Sequence, residues 1–296
     1  MPKPHPWILR DRSFNWGDRT YVMGVLNITP DSFSDGGRFN SLETGLAQAQ
    51  ELVKAGVDML DIGGQSTRPG AQSVPVEAEL RRVVPVIEAI RHSADAALQT
   101  AVISVDTTRA EVARAAVRAG ADLVNDISGG TFDRGMLSTV ADLGVPIVLM
   151  HIRGTPATMQ NQTNYEDLLG EIISALKRQI NTAIAAGVNA NRIIVDPGIG
   201  FGKSYPQNLE ILRRIPDLQA LGCPILIGPS RKSFIGWLLA QPDPTQRVWG
   251  TAAACCAAIA GGADILRIHD GREMVEVSRV ADAVWRPQRS PAAMES

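Results

Sequence analysis

Four polar side chains stand at or near the ends of short apolar runs, where they could together recognise a ring. Asp106 follows AVISV, Asp196 follows RIIV, Asn125 lies in DLVNDI, and Lys232 comes shortly after PILIG. Carboxylates accept hydrogen bonds, whereas amides and lysines donate them. The set therefore suits a planar heterocycle that carries several N–H donors together with ring acceptors.

A second group of side chains suits an anion. Asn27 ends the run YVMGVLN, Arg267 and His269 lie in ADILRIH, and the loop GGQSTRPG adds a Ser-Thr-Arg triplet. An asparagine oxygen is a hard ligand, so Asn27 suits an Mg²⁺ that keeps its waters and is carried by a phosphate. These residues predict recognition of an anionic group.

The sequence lacks the patterns that are typical of several other kinds of site. The chain has no His-x-His, Cys-x-x-Cys or His-Glu-x-x-His pattern, which argues against a zinc site made of protein ligands alone. It also has no nucleophile elbow with a Ser-His-Asp order, although GPSRKS contains serines. A single aspartate after a strand is commonly a helix cap, and Asp61 and His151 alone decide nothing. Polar groups at all eight predicted strand ends are more than capping explains.

The elements that position these residues repeat along the chain. A short aliphatic strand, a polar or glycine-rich loop and an amphipathic helix alternate. The phrases KAGVD, RAGAD, AAGVN and AGGAD place a glycine where a helix needs a left-handed cap. Strands that are apolar throughout are typical of parallel sheets covered on both faces. The predicted strands are 21–27, 57–62, 101–106, 122–127, 146–151, 192–197, 224–228 and 263–269.

Eight such units over about 250 residues predict a single (β/α)8 TIM barrel of the α/β class, with a doubly wound sheet as the alternative. In a barrel the carboxyl ends of the strands meet at one mouth, where catalysis takes place. We expect a lead-in at 1–19, the barrel at 20–286 and a disordered tail at 287–296.

Composition narrows the class of protein. The chain has 296 residues, 45% hydrophobic content and a net charge of −2, so no basic excess points to nucleic acid. Its three cysteines do not suggest a disulfide framework, which fits a reducing compartment. The N-terminus has no apolar signal core, and the run GTAAACCAAIAGGA is too short for a membrane span. These features predict a soluble cytoplasmic protein.

The ordered motifs resemble those of the dihydropteroate synthase family. From about Val22 to His269 they are NITPDSFSDGG, GGQSTRPGA, SVDTTR, NDISGG, LMHIRGTPATMQ, DPGIGFGKS, GPSRKSFIG and RIHD. The resemblance implies a TIM barrel that is usually a homodimer. It also implies an enzyme that joins p-aminobenzoate to (7,8-dihydropterin-6-yl)methyl diphosphate and releases pyrophosphate, with Mg²⁺ as cofactor, in tetrahydrofolate synthesis.

The resemblance further implies a role for each matching residue. The implied contacts are Asp106, Asn125, Asp196 and Lys232 on the pterin, Asn27 on Mg²⁺, Arg267, His269, Thr67 and Arg68 on the diphosphate, and Phe201, Pro69 and Ser233 on p-aminobenzoate. The stretch VLNITPDSFSDGG is then a strand that delivers Asn27, followed by a loop that closes over the site. Gln65 departs from the family, which usually has Glu there, so a charge-dependent role at that position stays open.

Two alternative functions require different residues of this chain. A pterin-binding methyltransferase shares the barrel and the Asp and Asn contacts, but it has no use for a diphosphate site or for the STRPG and SRKS motifs present here. A catalytically silent binding paralogue does not require Asn27, Lys232, Arg267 and His269 together. The sequence therefore favours the synthase.

Overall fold

The structure, a computed structural model, describes residues 4–28, 38–66 and 74–286. The described chain contains a two-stranded hairpin followed by eight strands of one sheet. All eight predicted barrel strands are present, and each bound lies within two residues of its prediction. The strands are β1 Trp7–Leu9, β2 Arg12–Phe14, β3 Tyr21–Asn27, β4 Met59–Gly63, β5 Val102–Asp106, β6 Leu123–Asp126, β7 Ile147–Met150, β8 Ile193–Asp196, β9 Leu226–Ile227 and β10 Ile265–Ile268.

The sheet closes on itself. Strands β3 to β8 pair in chain order, β10 pairs with β3, and β9 pairs with β10, all in parallel. The last seam, between β8 and β9, is a single parallel bridge between Val195 and Ile225. Beside it, the Val195 amide donates to the Pro224 carbonyl at 3.0 Å. The predicted TIM barrel is confirmed.

Helices surround the barrel in the order that the sequence indicated. The glycines of the four repeated phrases, Gly56, Gly120, Gly187 and Gly262, all have positive φ and follow a helix, as the left-handed cap requires. The helices are α1 Arg38–Ala55, α2 Val76–Arg91, α3 Ala96–Gln99, α4 Ala110–Ala119, α5 Met136–Leu143, α6 Leu168–Ala185, α7 Tyr205–Arg213, α8 Ile215–Leu218, α9 Ser233–Leu238, α10 Val248–Ala260 and α11 Gly271–Trp285.

Side chains of each strand alternate between two cores. Outward side chains such as Leu60 and Ile103 pack beneath the helices in the larger core. Inward side chains near the strand starts, such as Met59 and Val102, fill the lower lumen with apolar volume. The polar side chains that end the strands, such as Asp106, therefore lie in the upper lumen.

The hairpin β1–β2 closes the lower end of the barrel. Phe14 and Trp16 pack in one cluster with the apolar side chains of the lower lumen. The indole of Trp7 donates to the Asn191 carbonyl just before β8. The predicted lead-in is therefore a plug built of aromatic side chains.

Several predicted features lie outside the described residues. They are the loop after β3 between residues 29 and 37, the residues Thr67, Arg68 and Pro69, and the tail 287–296. Within the described ranges, no helix has the length and apolar character that a membrane span needs.

Candidate active site

Polar side chains from five strands line the upper lumen of the barrel. They are Asp61 on β4, Asp106 on β5, Asn125 on β6, Asp196 on β8 and Arg267 on β10. Asp106 and Asn125 are paired neighbours across β5 and β6. The three carboxylates and the amide are buried. Asp106 and Asp196 each end a parallel strand, so the barrel brings the two predicted carboxylates to the same mouth.

Arg267 is the centre of the charge network. Its Nε donates to Asp61 Oδ2 at 2.6 Å, and its Nη2 donates to Asp106 Oδ2 at 2.7 Å. The Asn125 amide donates to the same Asp61 oxygen at 3.1 Å. Burial disfavours the charge on Arg267, but Asp61 and Asp106 outweigh it, and the pKa of Arg267 is raised. The guanidinium is therefore a permanent cation that binds two carboxylates, one of which also accepts from Asn125.

Asp106 is poised between its two protonation states. Burial raises the pKa of Asp106 to about 7, against the opposing effect of Arg267 and with a further rise caused by Asp61. A carboxyl with that pKa is partly protonated near neutral pH. Such a group can accept a hydrogen bond from a ring N–H or exchange a proton with the ring.

Lys232 and Phe201 face each other at the mouth. The Lys232 Nζ lies 4.2 Å from the centroid of the Phe201 ring, within the range of a cation–π contact. Burial lowers the pKa of Lys232 to about 8, Arg267 lowers it further, and Asp196 opposes both effects. This arrangement offers one donor and one aromatic face side by side.

The glycine-rich loop after β8 holds Asp196 in place. The Gly198 amide donates to Asp196 Oδ1 at 2.6 Å, and Gly198 has a positive φ of 74°. A Cβ on Gly198 would lie only 2.0 Å from the His151 carbonyl oxygen, so only glycine fits there. Burial raises the pKa of Asp196, while the Gly198 amide and Lys232 lower it.

His269 stands on the rim, with its ring fixed by a serine. His269 directly follows β10 and lies two residues after Arg267 in extended chain, so the two side chains point to the same side. The Ser230 hydroxyl accepts from the His269 amide at 3.1 Å and lies 3.0 Å from His269 Nδ1. Because Ser230 is itself buried, the imidazole has a defined orientation.

Asn27 is the residue that could meet a metal. A Cβ built on Gly63 would lie 3.7 Å from Asn27 Oδ1 and 3.6 Å from Asp106 Oδ2, so both oxygens border that glycine. Among the described residues, no group of three or more His, Cys, Asp or Glu is arranged to hold a metal. An isolated oxygen donor fits an Mg²⁺ that arrives with phosphates and keeps several waters.

One predicted contact, Ser233, and one departure from the family pattern, Gln65, lie outside the charge network of Arg267. Ser233 is exposed and is the first residue of α9; the cap position belongs to Lys232, whose side chain makes no capping bond. Gln65, the departure from the family pattern, lines a cavity of about 600 Å³ that also includes Asp106 and Glu79. The Glu79 carboxylate accepts from Thr107 at 2.6 Å in the same region.

Sequence reasoning left two contributors without a role. Asp61 alone decides nothing in the sequence, yet it is fully buried and accepts from Arg267 and Asn125. The position of Ser230 within GPSRKS predicts no role for it, yet its hydroxyl orients His269. The signals were the period of two along β4, which turns Asp61 into the lumen, and the position of Ser230 in the turn three residues after β9.

The match to known proteins covers nearly the whole barrel. Residues 23–269 match the family described as pterin binding enzyme. The chain belongs to this family. It is 56% identical, over 283 residues and 96% of each chain, to a Synechocystis protein named dihydropteroate synthase. Relatives named as folate synthesis bifunctional proteins are longer, and the chain covers 52% to 58% of their length.

Two solved pterin-binding relatives from Xanthomonas albilineans share the fold. The dihydropteroate synthase with 4-aminobenzoic acid has a TM-score of 0.86 at 45% identity, covering 95% of this chain and 98% of that chain. The complex with 7,8-dihydropteroate has a TM-score of 0.81 at 44% identity, covering 92% and 96%. A pterin is a planar ring with several donors and acceptors, so membership in the pterin-binding family agrees with the chemistry of the upper lumen.

Proposed function

We propose that this protein is a dihydropteroate synthase. It transfers a dihydropterinylmethyl group from its diphosphate to the amine of p-aminobenzoate and releases pyrophosphate, a step in tetrahydrofolate synthesis. One observation carries the proposal. Asp106, Asn125, Asp196 and Lys232 converge at the mouth of a barrel that is similar over nearly its whole length to dihydropteroate synthases.

The pocket suits the edge of a pterin. Ionised Asp106 and Asp196 accept from ring and amino N–H groups, while Asn125 and Lys232 donate to ring nitrogen and carbonyl acceptors. These partners are mostly buried, so a ring without the matching groups leaves polar atoms unpaired in the lumen. That penalty gives the pocket its selectivity.

The diphosphate is proposed to lie at the rim. Arg267 on β10 and His269 directly after that strand are proposed to bind it, together with Thr67 and Arg68 of the loop outside the described residues. Asn27 is the proposed ligand of Mg²⁺, which when bound neutralises charge on the departing pyrophosphate. Each preorganised donor on the developing charge contributes about 2.7–4 kcal/mol in the transition state.

The reaction exchanges a carbon–oxygen bond for a carbon–nitrogen bond. The bond from the pterin methylene to the diphosphate oxygen breaks, and its electron pair leaves with pyrophosphate. Asp106 and Asp196 stabilise the positive charge that develops on the pterin. The arylamine lone pair then forms the new bond, and the nitrogen loses one proton. Phe201 and Ser233, together with Pro69, hold the p-aminobenzoate. No covalent enzyme intermediate is needed.

A homodimer is proposed from the apolar surface of three neighbouring helices. Helices α7, α9 and α10 share a groove of about 620 Å³ lined by apolar side chains that include Leu212, Leu239 and Ala257. Trp249, at the edge of this surface, is 78% exposed. Contiguous apolar surface of this kind supports pairing with a second copy. The three free cysteines support a cytoplasmic location.

The test is a coupled assay of pyrophosphate. The protein is incubated with Mg²⁺ and with each substrate alone or both together, and the organic product is identified by mass. We expect pyrophosphate only when both substrates are present, together with dihydropteroate. Release from the pterin diphosphate alone would indicate a hydrolase. Pterin binding without any release would indicate a silent paralogue.

A further inference from the structure

Lys203 is a buried lysine that the proposed reaction does not use. It lies in the loop between β8 and α7 and is 2% exposed, although lysines are almost never fully buried without partners. Its Nζ donates to the Phe201 carbonyl at 2.9 Å and to the His151 carbonyl at 3.1 Å, and it lies 2.9 Å from His151 Nδ1. An ammonium has three donors, so these contacts satisfy all of them.

His151 completes the cluster in its neutral form. Burial lowers the pKa of His151 to about 2, and the charges of Lys203 and Arg153 act in the same direction. A neutral imidazole whose Nδ1 accepts a hydrogen bond carries its proton on Nε2. The Lys203 ammonium is therefore surrounded by acceptors from two loops.

Residues in and beside the cluster hold Asp196 by its carbonyl and by its carboxylate. The His151 amide donates to the Asp196 carbonyl at 2.9 Å, and the Gly198 amide donates to the Asp196 carboxylate at 2.6 Å. A Cβ on Gly198 would lie 3.1 Å from the Lys203 Nζ. One ammonium thus fastens the end of β7 to the turn that presents this carboxylate and to the carbonyl of Phe201.

We propose that Lys203 is a positioning residue for both substrates, because its ammonium ties the end of β7 to the loop after β8 and holds Asp196 and Phe201 in place. The inference rests on the proposed function, in which Asp196 contacts the pterin and Phe201 contacts p-aminobenzoate. A lysine serves here because three acceptors converge on one point.

The charge of Lys203 also acts on Asp196. Burial raises the pKa of Asp196, and Lys203 is one of the charges that lower it. Burial lowers the pKa of Lys203 itself well below its usual value, while Asp196 opposes that shift. The three contacts of its Nζ nevertheless need three N–H donors, which only the ammonium form has. The other charged groups that face this pair are Lys232, Arg267 and Arg153. Without the Lys203 charge, Asp196 takes up a proton at a higher pH, so the acid limit of pterin binding moves upward.

Two variants separate the effect of the hydrogen bonds of Lys203 from the effect of its charge. Lys203→Met keeps the stem and removes every donor. Lys203→Gln keeps two N–H donors for the two carbonyls but carries no charge. Lys54→Met is the matched control, because Lys54 is exposed on α1 and pairs only with the nearby Glu51 at 3.2 Å among the contacts of the described residues. Unfolding midpoints are recorded to compare folded protein, and KM for each substrate, kcat and pterin affinity are measured against pH.

We expect Lys203→Met to raise KM for both substrates by about tenfold and to move the acid limit of pterin binding to a higher pH. Lys203→Gln should show the same pH displacement with smaller changes in KM, and it decides the matter if Lys203→Met does not fold. Lys54→Met should match the wild type.

The inference is overturned, and the proposed function is kept, if the wild type is active and both Lys203→Met and Lys203→Gln leave the two KM values and the acid limit unchanged. A fall in kcat with unchanged KM and an unmoved acid limit also overturns it, because that pattern indicates structural damage only. A wild type that neither binds a pterin nor releases pyrophosphate overturns the proposed function and this inference with it.

Discussion

Arg267 Nη2 donates to Asp106 Oδ2 over 2.7 Å in the upper lumen. The guanidinium predicted for the diphosphate is therefore bound to a carboxylate predicted for the pterin. The two proposed halves of the substrate are recognised by one connected network, so a change at either residue affects both.

The first prediction concerns Arg267→Ala, which leaves Asp61 and Asp106 without their cation. Losing one partner of a buried ion pair costs about 3–5 kcal/mol, and the 20% exposure of the Arg267 side chain places the loss near the lower end. The loss should grow as pH rises, because Asp106, whose pKa is raised to about 7, then ionises in the lumen without its cation. Urea unfolding at about pH 6 and about pH 8 measures it. Arg272→Ala, at an exposed ion pair on α11, is the control and should change the free energy of unfolding little. If Arg267→Ala loses the same stability at both pH values, the argument is wrong.

The second prediction is an ascending limb in the pH profile. The ionised form of Asp106 accepts pterin N–H groups, and the pKa of Asp106 is raised to about 7. For the pterin substrate, kcat/KM should therefore rise with pH up to about 7 and then level off, since this ratio reports ionisation of the free enzyme. Asp106→Asn should lower kcat/KM by about 100-fold and flatten the limb. A limb that persists in Asp106→Asn belongs to another group.

The third prediction is a descending limb that belongs to Lys232. Its pKa is lowered to about 8, so the ammonium and its donors are present below that pH and are lost above it. Arginine stays charged across the range. Lys232→Arg should keep part of the activity and the ascending limb while losing the descending limb. An unchanged fall above about pH 8 in this variant rules Lys232 out as its source.

The fourth prediction concerns the plug. Phe14 is 1% exposed within it, so Phe14→Ala should lower the free energy of unfolding by about 3–5 kcal/mol. The activity of the folded fraction should stay close to that of the wild type, because the polar residues lie at the other end of the barrel. Ile8→Ala in the same hairpin is the control, since Ile8 is 73% exposed. Comparable losses in both variants contradict the packing argument.

The fifth prediction tests the pairing surface. Trp249→Glu places a charge on the apolar face of α7, α9 and α10 and should convert a dimer into monomers, which sedimentation velocity measures directly. Val284→Glu on α11 is a control of similar exposure, at 63%, and should leave the assembly state unchanged. A wild type that sediments as a monomer refutes the proposed dimer outright.

Local pattern was enough to predict the barrel and part of its polar lining. Each strand is a short apolar run bounded by polar residues, and Gly56 and Gly120 mark helix ends by a backbone conformation that other residues avoid. Asp106 and Asp196 follow from strand ends alone, because parallel strands in a barrel share one mouth.

Contacts between distant segments could not be predicted from the local sequence pattern. Lys203 in a glycine-rich loop has the sequence context of a solvated charge, and its burial depends on the end of β7, 52 residues earlier. The hairpin strands have three residues each, which is too few for a reliable periodic signal. The pairing of Arg267 with Asp61 spans 206 residues. Such features depend on closure of the barrel, which no single stretch encodes.

The aromatic plug leaves the barrel with one usable opening. If the pterin occupies the lumen and p-aminobenzoate the rim near Phe201, the two must load in sequence through the same passage. We therefore expect compulsory-order kinetics, with the pterin diphosphate first. Dihydropteroate then has to clear that passage before another turnover starts, so added product should compete with the pterin substrate for the free enzyme.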